Sequence, residues 1–198
     1  MKNSIIHELN SAWNNNFSYR ELLGVIKKHS LQKLGEGSSR MVFKLDDSTC
    51  IKIAKNKFGI SQMKEECDIS DKGDFDVFVK VFAYDKKYNI WSICELCSEA
   101  TNADFKRILM VPFSIIEVKI EDLIYDFKES NYEEIDSEFE KSKPAVLFMK
   151  NLINAIRANS LEDTAYDLEM IENYGVTSDD KIKVIDFGLT NKSMEDVI

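Results

Sequence analysis

Four short segments of this sequence carry residue types whose spacing suits work on phosphate groups. The first is Gly35-x-Gly37 between two strand-like runs, with Arg40 where G-x-G-x-x-G has its third glycine. Glycine reaches positive φ and lets a backbone approach a phosphate with no Cβ in the way, although a plain hairpin uses the same residues. The second is Lys52, mid-strand between Ile51 and Ile53 and on the face of Cys50 and Ala54. An ammonium there either snorkels at an edge or holds phosphate oxygens. The third is a helical run in which Glu66 falls within the inward stripe of Met63, Cys67, Ile69 and Ser70. A buried carboxylate needs a partner, and Lys52 is the natural one; Glu65 is the alternative acid. The fourth runs from Tyr166-Asp167 through Asn173 to Asp186-Phe187-Gly188. The apolar residues Ile182, Val184 and Ile185 end abruptly in an acid, and a carboxylate at the end of a core strand can ligate a hard cation such as Mg2+. Asn173 offers a second oxygen ligand and Asp167 a carboxylate for the substrate, while a capping turn is the structural alternative.

The elements that must position these groups follow from periodicity. Residues 1 to about 30 read as one or two helices with Leu22, Leu23, Val25 and Ile26 on the apolar face. Leu31–Leu34, the alternating Met41, Phe43 and Leu45, and Thr49–Ala54 read as three strands. Residues 60–70 read as a helix with Ser61 as its N-cap, and Val77–Tyr84 with Tyr88–Glu95 as a hairpin. Helices are expected over 102–111, 114–140 and 145–158, the last with Leu147, Phe148, Leu152, Ile153 and Ile156 inward and Pro144 in its first turn. Strands at Tyr174–Thr177 and Ile182–Ile185 flank a Ser178-Asp179-Asp180 turn. Strands fill the first half and helices the second, an α+β layout with a seam near Glu95–Ser98.

Composition sets limits. A chain of 198 residues with 44% apolar content can bury a core in one domain or in two lobes. The net charge of −9 argues against a general nucleic-acid binder, which needs a basic face. It leaves room for a single nucleotide held by one lysine, backbone amides and a metal. The acidic excess between Glu117 and Glu140 reads as a solvated helical face, or else as an acidic docking surface. No apolar run approaches the roughly 18 residues of a membrane span, and no leader pattern opens the chain, so a cytoplasmic protein is expected. Of Cys50, Cys67, Cys94 and Cys97 only the last two have CxxC spacing, and reduced structural thiols are the expected reading.

In chain order, residues 31–190 resemble the protein-kinase-like superfamily. Leu34-Gly35-Glu36-Gly37-Ser38-Ser39-Arg40-Met41-Val42 looks like its glycine-rich loop, and Cys50-Ile51-Lys52 like the A-x-K of its third strand. Glu66 matches the glutamate of the αC helix, and Ile93-Cys94-Glu95-Leu96-Cys97 the hinge, with Cys94 as gatekeeper. Asp167 and Asn173 resemble the catalytic-loop pair, and Asp186-Phe187-Gly188 is D-F-G. The phrasing around Asp167-Leu168 and Ile185–Thr190 is similar to small kinase-like proteins of bacteriophages and bacteria. Departures are Ala165-Tyr166-Asp167 for H-R-D, one extra residue between Asp167 and Asn173, and an end ten residues after Gly188. That end suggests that the activation segment and the peptide-holding helices are absent.

The resemblance implies a two-lobed α+β fold: an N-terminal helical extension (1–30), an N-lobe antiparallel sheet with the αC helix and hinge (31–97), and a reduced, mostly helical C-lobe (98–198). It implies ATP and Mg2+ as cofactors. Adenine would lie against Leu34, Val42 and Cys50 and bond the hinge at Glu95 and Cys97, below a loop carrying Gly35 and Gly37. Lys52, positioned by Glu66, would hold phosphates, Asn173 and Asp186 would bind the metal, and Asp167 would orient the acceptor hydroxyl. The activity expected is phosphoryl transfer to a protein Ser/Thr. A pseudokinase that docks to a partner protein, a small-molecule kinase and a nucleotidyl transferase are the alternatives. Neither nucleic acid nor a membrane is an expected partner, and a viral chain would work in the host cytoplasm.

Overall fold

Strand β2 (Arg40–Lys44) turns Met41 and Phe43 to one side and Arg40 and Val42 to the other, the period of two that the sequence predicts. It pairs antiparallel with β1 (Lys33–Glu36) and with β3 (Thr49–Ala54), all six of whose residues are buried. Next come β5 (Trp91–Glu95) on the far side of β3 and β4 (Val81–Tyr84) at the edge, in the order β1-β2-β3-β5-β4. The computed structural model describes residues 2–12, 19–73, 75–125, 133–159 and 161–187. They divide into two units, residues 2–71 with 80–96, and residues 72–79 with 97–187.

In the first unit both faces of the sheet are covered. Met41, Phe43, Ile51, Ile53, Trp91 and Ile93 form one core with Ile5 and Leu9 of α1 (Lys2–Ala12) and Leu22 and Ile26 of α2 (Tyr19–Lys28). Each helix contributes an i, i+4 apolar pair, and burying each such side chain stabilises by roughly 1.5–3 kcal/mol. The opposite face carries α3 (Lys57–Lys72), whose Met63 and Cys67 pack on Ala54. Ser61 lies inside this helix rather than capping it; Asn56 Oδ1 accepts the Gly59 N–H at 2.9 Å and does that work. The helix meets the sheet closely at Gly59, where a Cβ would stand 2.2 Å from the Ser39 carbonyl oxygen.

The second unit is mostly helical: α4 (Asn102–Ile108), α5 (Phe113–Tyr125), α6 (Glu133–Lys141) and α7 (Lys143–Asn159). Thr101 and Asp104 form a capping box at α4. Of the helix expected over 114–140, α5 and α6 are the described parts, and 126–132 lie outside the described residues. Pro144 does sit in the first turn of α7. The inward face of α7 is Ala145, Phe148, Met149, Leu152, Ala155 and Ile156, while Leu147 points outward at 59% exposure and Ile153 is half-buried, correcting the expected stripe. A small antiparallel sheet joins β6 (Ser98–Glu99), β7 (Tyr174–Val176) and β8 (Ile182–Val184).

Residues 77–79, expected as the start of a strand running to Tyr84, belong instead to this second unit. Phe78 makes a parallel bridge with Val184, framed by Val184 N–H to Val77 O at 2.9 Å and Val79 N–H to Val184 O at 3.1 Å. Lys183 is buried beneath this segment, its Nζ 3.4 Å from Phe78 O and 3.5 Å from Asp76 Oδ1. Among the described residues no helix is long and apolar enough to cross a membrane. The four cysteines form no disulfide.

Candidate active site

Directly opposed residues of antiparallel strands point the same way, so the pairs Val42↔Lys52, Lys52↔Ser92, Arg40↔Ala54 and Cys50↔Cys94 define one face of the first sheet, the face beneath α3. Lys52 is 7% exposed and its Nζ lies 2.8 Å from Glu66 Oε2. Glu66, not Glu65, is the inward acid, at 1% exposure. Its second oxygen is held by Arg40 Nη1 at 2.6 Å, a contact that the sequence reading missed. Burial disfavours the charge on Glu66, yet Arg40 and Lys52 together hold its carboxyl below the usual carboxylate range. The alternation of β2 puts Arg40 on the Lys52 face.

Gly35 lies in β1 opposite Val42, and Gly37 stands in the turn that follows, closed by Gly37 N–H to Arg40 O at 2.9 Å. Neither has positive φ, so the conformational reason expected for them does not hold. Nor does packing demand them: a Cβ on Gly35 would meet nothing within 4 Å, and one on Gly37 only Arg40 O at 4.0 Å. Leu34 is 43% exposed, Val42 half-buried and Cys50 buried. Cys94 is fully buried, which pushes its thiol pKa up, and its Sγ lies 3.5 Å from Ser92 Oγ. Glu95 and Leu96 give their N–H groups to Lys80 O and Ser48 O at 2.8 and 2.9 Å. Cys97 belongs to the second unit, where a Cβ on Gly175 would stand 2.6 Å from its own Cβ.

The second unit gathers Asp167, Asn173 and Asp186. Asp167 lies in a 3-10 segment (Glu162–Glu169) and Asn173 ends a shorter one (Ile171–Asn173). Asn173 Nδ2 donates to Asp167 O at 2.6 Å, and Ile185 N–H donates to Asn173 O at 2.8 Å, so the residue before Asp186 is tied to the Asp167 turn. Tyr174, wholly buried among Phe105, Phe113 and Phe148, donates its hydroxyl to Leu168 O at 2.6 Å. Phe187 stacks on Phe78, ring centroids 4.2 Å apart at 15°. With Leu161, Asp167 and Leu168 these rings border a hollow with room for about one water, near 10 Å³. Partial burial, and then the negative charge of Asp186, raise the Asp167 pKa above the ordinary aspartate value. Gly188 lies outside the described residues.

Chemically, Asp167 and Asp186 are two hard carboxylates whose mutual repulsion a divalent cation would relieve. The amide nitrogen of Asn173 is committed to Asp167 O, which turns its oxygen into the available acceptor. Among the described residues no three acids, histidines or cysteines form a metal cage. The Asp186 carboxylate and the Asn173 amide oxygen are hard donors of the kind that would suit Mg2+.

The first unit thus holds a lysine on its third strand bridged to a glutamate on the following helix, and the second an Asp/Asn pair tied to a strand that runs into Asp-Phe. The chain resembles the protein-kinase-like superfamily. No family model and no curated protein matches it. Solved structures similar to this chain include the ternary complex of streptomycin, ATP and APH(2")-IIa, at 14% identity and a TM-score of 0.39, over 87% of this chain and 72% of that one. Another is choline kinase LicA from Streptococcus pneumoniae, at 16% identity and 0.40, over 88% and 78%. A third is ADP-bound aminoglycoside phosphotransferase APH(2'')-Ib, at 12% identity and 0.40, over 95% and 71%.

Proposed function

We propose that this protein is a kinase-like phosphotransferase that moves the terminal phosphate of ATP, with Mg2+, to a hydroxyl group. The observation that carries the reading is the buried Lys52–Glu66 pair on the face next to a glycine turn that packing does not require. A fixed ammonium there holds phosphate oxygens, and the turn lets its backbone N–H groups approach them. Adenine rests on Leu34, Val42 and Cys50 and bonds the backbone at Glu95 and Cys97; because the Glu95 N–H is engaged with Lys80, Glu95 serves through its carbonyl. Asn173 and Asp186 hold Mg2+, which supplies charge neutralisation on the phosphates. Asp167 accepts a hydrogen bond from the acceptor hydroxyl, orients it and takes its proton; a raised pKa makes it a better proton acceptor than an ordinary aspartate.

The acceptor expected from the sequence is a protein serine or threonine. A cationic small molecule is the second reading, supported by Glu169, two residues past Asp167, whose pKa is raised by burial and by the charges of Glu121 and Glu117 on α5. The test is to incubate the purified protein with Mg2+ and γ-labelled ATP, alone, with cell extract and with polyamine or aminoglycoside alcohols, and to identify products by mass spectrometry. Label should move to a hydroxyl, and Lys52→Ala or Asp186→Ala should each abolish transfer. Transfer that survives both changes refutes the assignment. Nucleotide binding without turnover in every mixture leaves a pseudokinase, and an added AMP makes it a nucleotidyl transferase.

A further inference from the structure

In the glycine turn, Arg40 occupies the place of a third glycine, yet its side chain is 6% exposed and directed to the sheet face that carries Lys52. It has two attachments. Its carbonyl accepts the Gly37 N–H at 2.9 Å and so closes the turn; its Nη1 holds Glu66 Oε1 at 2.6 Å while Lys52 holds Oε2. The turn is tied to α3 as well, because Ser39 donates to the buried Gln62 Oε1 of that helix and Gly59 of the same helix rests against Ser39 O.

A carboxylate with one cationic partner can swivel about its last torsion and carry a flexible lysine with it. With each oxygen held by a separate cation, it cannot. We infer that Arg40 is a positioning residue: by clamping Glu66 to β2 it fixes the Lys52 ammonium and couples it to the glycine turn, so that turn and lysine address the polyphosphate of a nucleotide as one unit. The inference rests on the phosphotransferase reading given above and concerns the phosphate end alone. A glycine at position 40, which would complete G-x-G-x-x-G, should therefore harm this protein.

The experiment compares MgATP and adenosine affinities, by competition with a fluorescent ATP analogue, for the wild type, Arg40→Met, Arg40→Lys and Arg40→Gly, with thermal unfolding of each. Loss of a charge-assisted contact should weaken MgATP by at least about tenfold in Arg40→Met and Arg40→Gly. Adenosine affinity should stay as in the wild type, and Arg40→Lys should recover most of the loss. Unchanged MgATP affinity in Arg40→Met overturns the inference. So does a parallel fall of MgATP and adenosine affinity, which marks a purely structural residue. A wild type that binds neither probe refutes the nucleotide reading itself, and the positioning role with it.

Discussion

Replacing Glu66 with Gln keeps the shape of the side chain and removes its charge, leaving Arg40 and Lys52 as two buried cations facing a neutral amide, one of them opposite its N–H2. Glu66 is 1% exposed and its two ion pairs are 2.6 and 2.8 Å long, so solvent cannot step in for the lost anion. Removing one partner from a buried ionic group costs about 3–5 kcal/mol. In a chain of this size that lowers the unfolding temperature by about 6–20 °C. Urea unfolding followed by tryptophan fluorescence suits the measurement, because Trp91 lies in the core of the same unit and donates to Asn10 Oδ1 at 3.2 Å. A second substitution sharpens the test. Arg40→Met added to Glu66→Gln removes one of the two buried cations and should recover about 0.5–3 kcal/mol of coupling. The sign with pH also follows. The Glu66 carboxyl sits below the ordinary glutamate value when folded, so its contribution is complete above that value and fades as pH falls through the folded one. The gap between wild type and Glu66→Gln should thus narrow only in acid. If Glu66→Gln falls within about 1 kcal/mol of the wild type, or the double variant is the sum of its parts, the clamp is energetically empty and the reasoning fails.

Two glycines should behave oppositely: Gly59→Ala forces a methyl to 2.2 Å from Ser39 O and should destabilise by about 1–3 kcal/mol in the same urea assay, whereas Gly35→Ala should leave stability unchanged and weaken MgATP binding. Asp167 has a raised folded pKa, so the native state holds its proton more tightly than the unfolded chain, and stability should fall as pH rises from the ordinary aspartate value through the raised one. Asp167→Asn should abolish that part of the pH dependence, read as the urea midpoint across the acidic range without metal, and a slope identical to the wild type would count against it. Tyr174→Phe strands the Leu168 carbonyl in a buried place and should cost about 1–3 kcal/mol, measured by thermal unfolding.

Much of the first sheet was legible because its signals are local. Alternation marked β2, an apolar run marked β3, and the rule that a buried acid needs a cation joined Glu66 to Lys52 across a strand and a helix. Asn173 and Asp167 were legible only as a spacing; the hydrogen bond between them needs the fold. Arg40 was not legible as a partner of Glu66 because its place in the glycine motif suggests an exposed turn residue, and only the pairing of β2 with β3 turns it toward α3. The role of Phe78 could not be read at all: its partners Val184 and Phe187 lie far along the chain, and no local period announces a parallel bridge. Leu147 and Met149 show a finer failure. Two residues apart on α7, they stand about 200° from one another around the helix, so only one of them can share the face of Phe148, Leu152 and Ile156, and that one is Met149.

The short stretch 72–79 has a bearing on how the protein is made. Its anchor, Lys183, is 105 residues further along the chain than Phe78. During synthesis Phe78 and the backbone of Val77 and Val79 leave the ribosome early and must wait, unpaired, for a strand translated much later. Contacts closed over such distances form slowly, and apolar segments left open meanwhile attract other chains. A polypeptide cut at the boundary near Leu96 would make that wait permanent, carrying away a strip of the second unit with nothing to receive it.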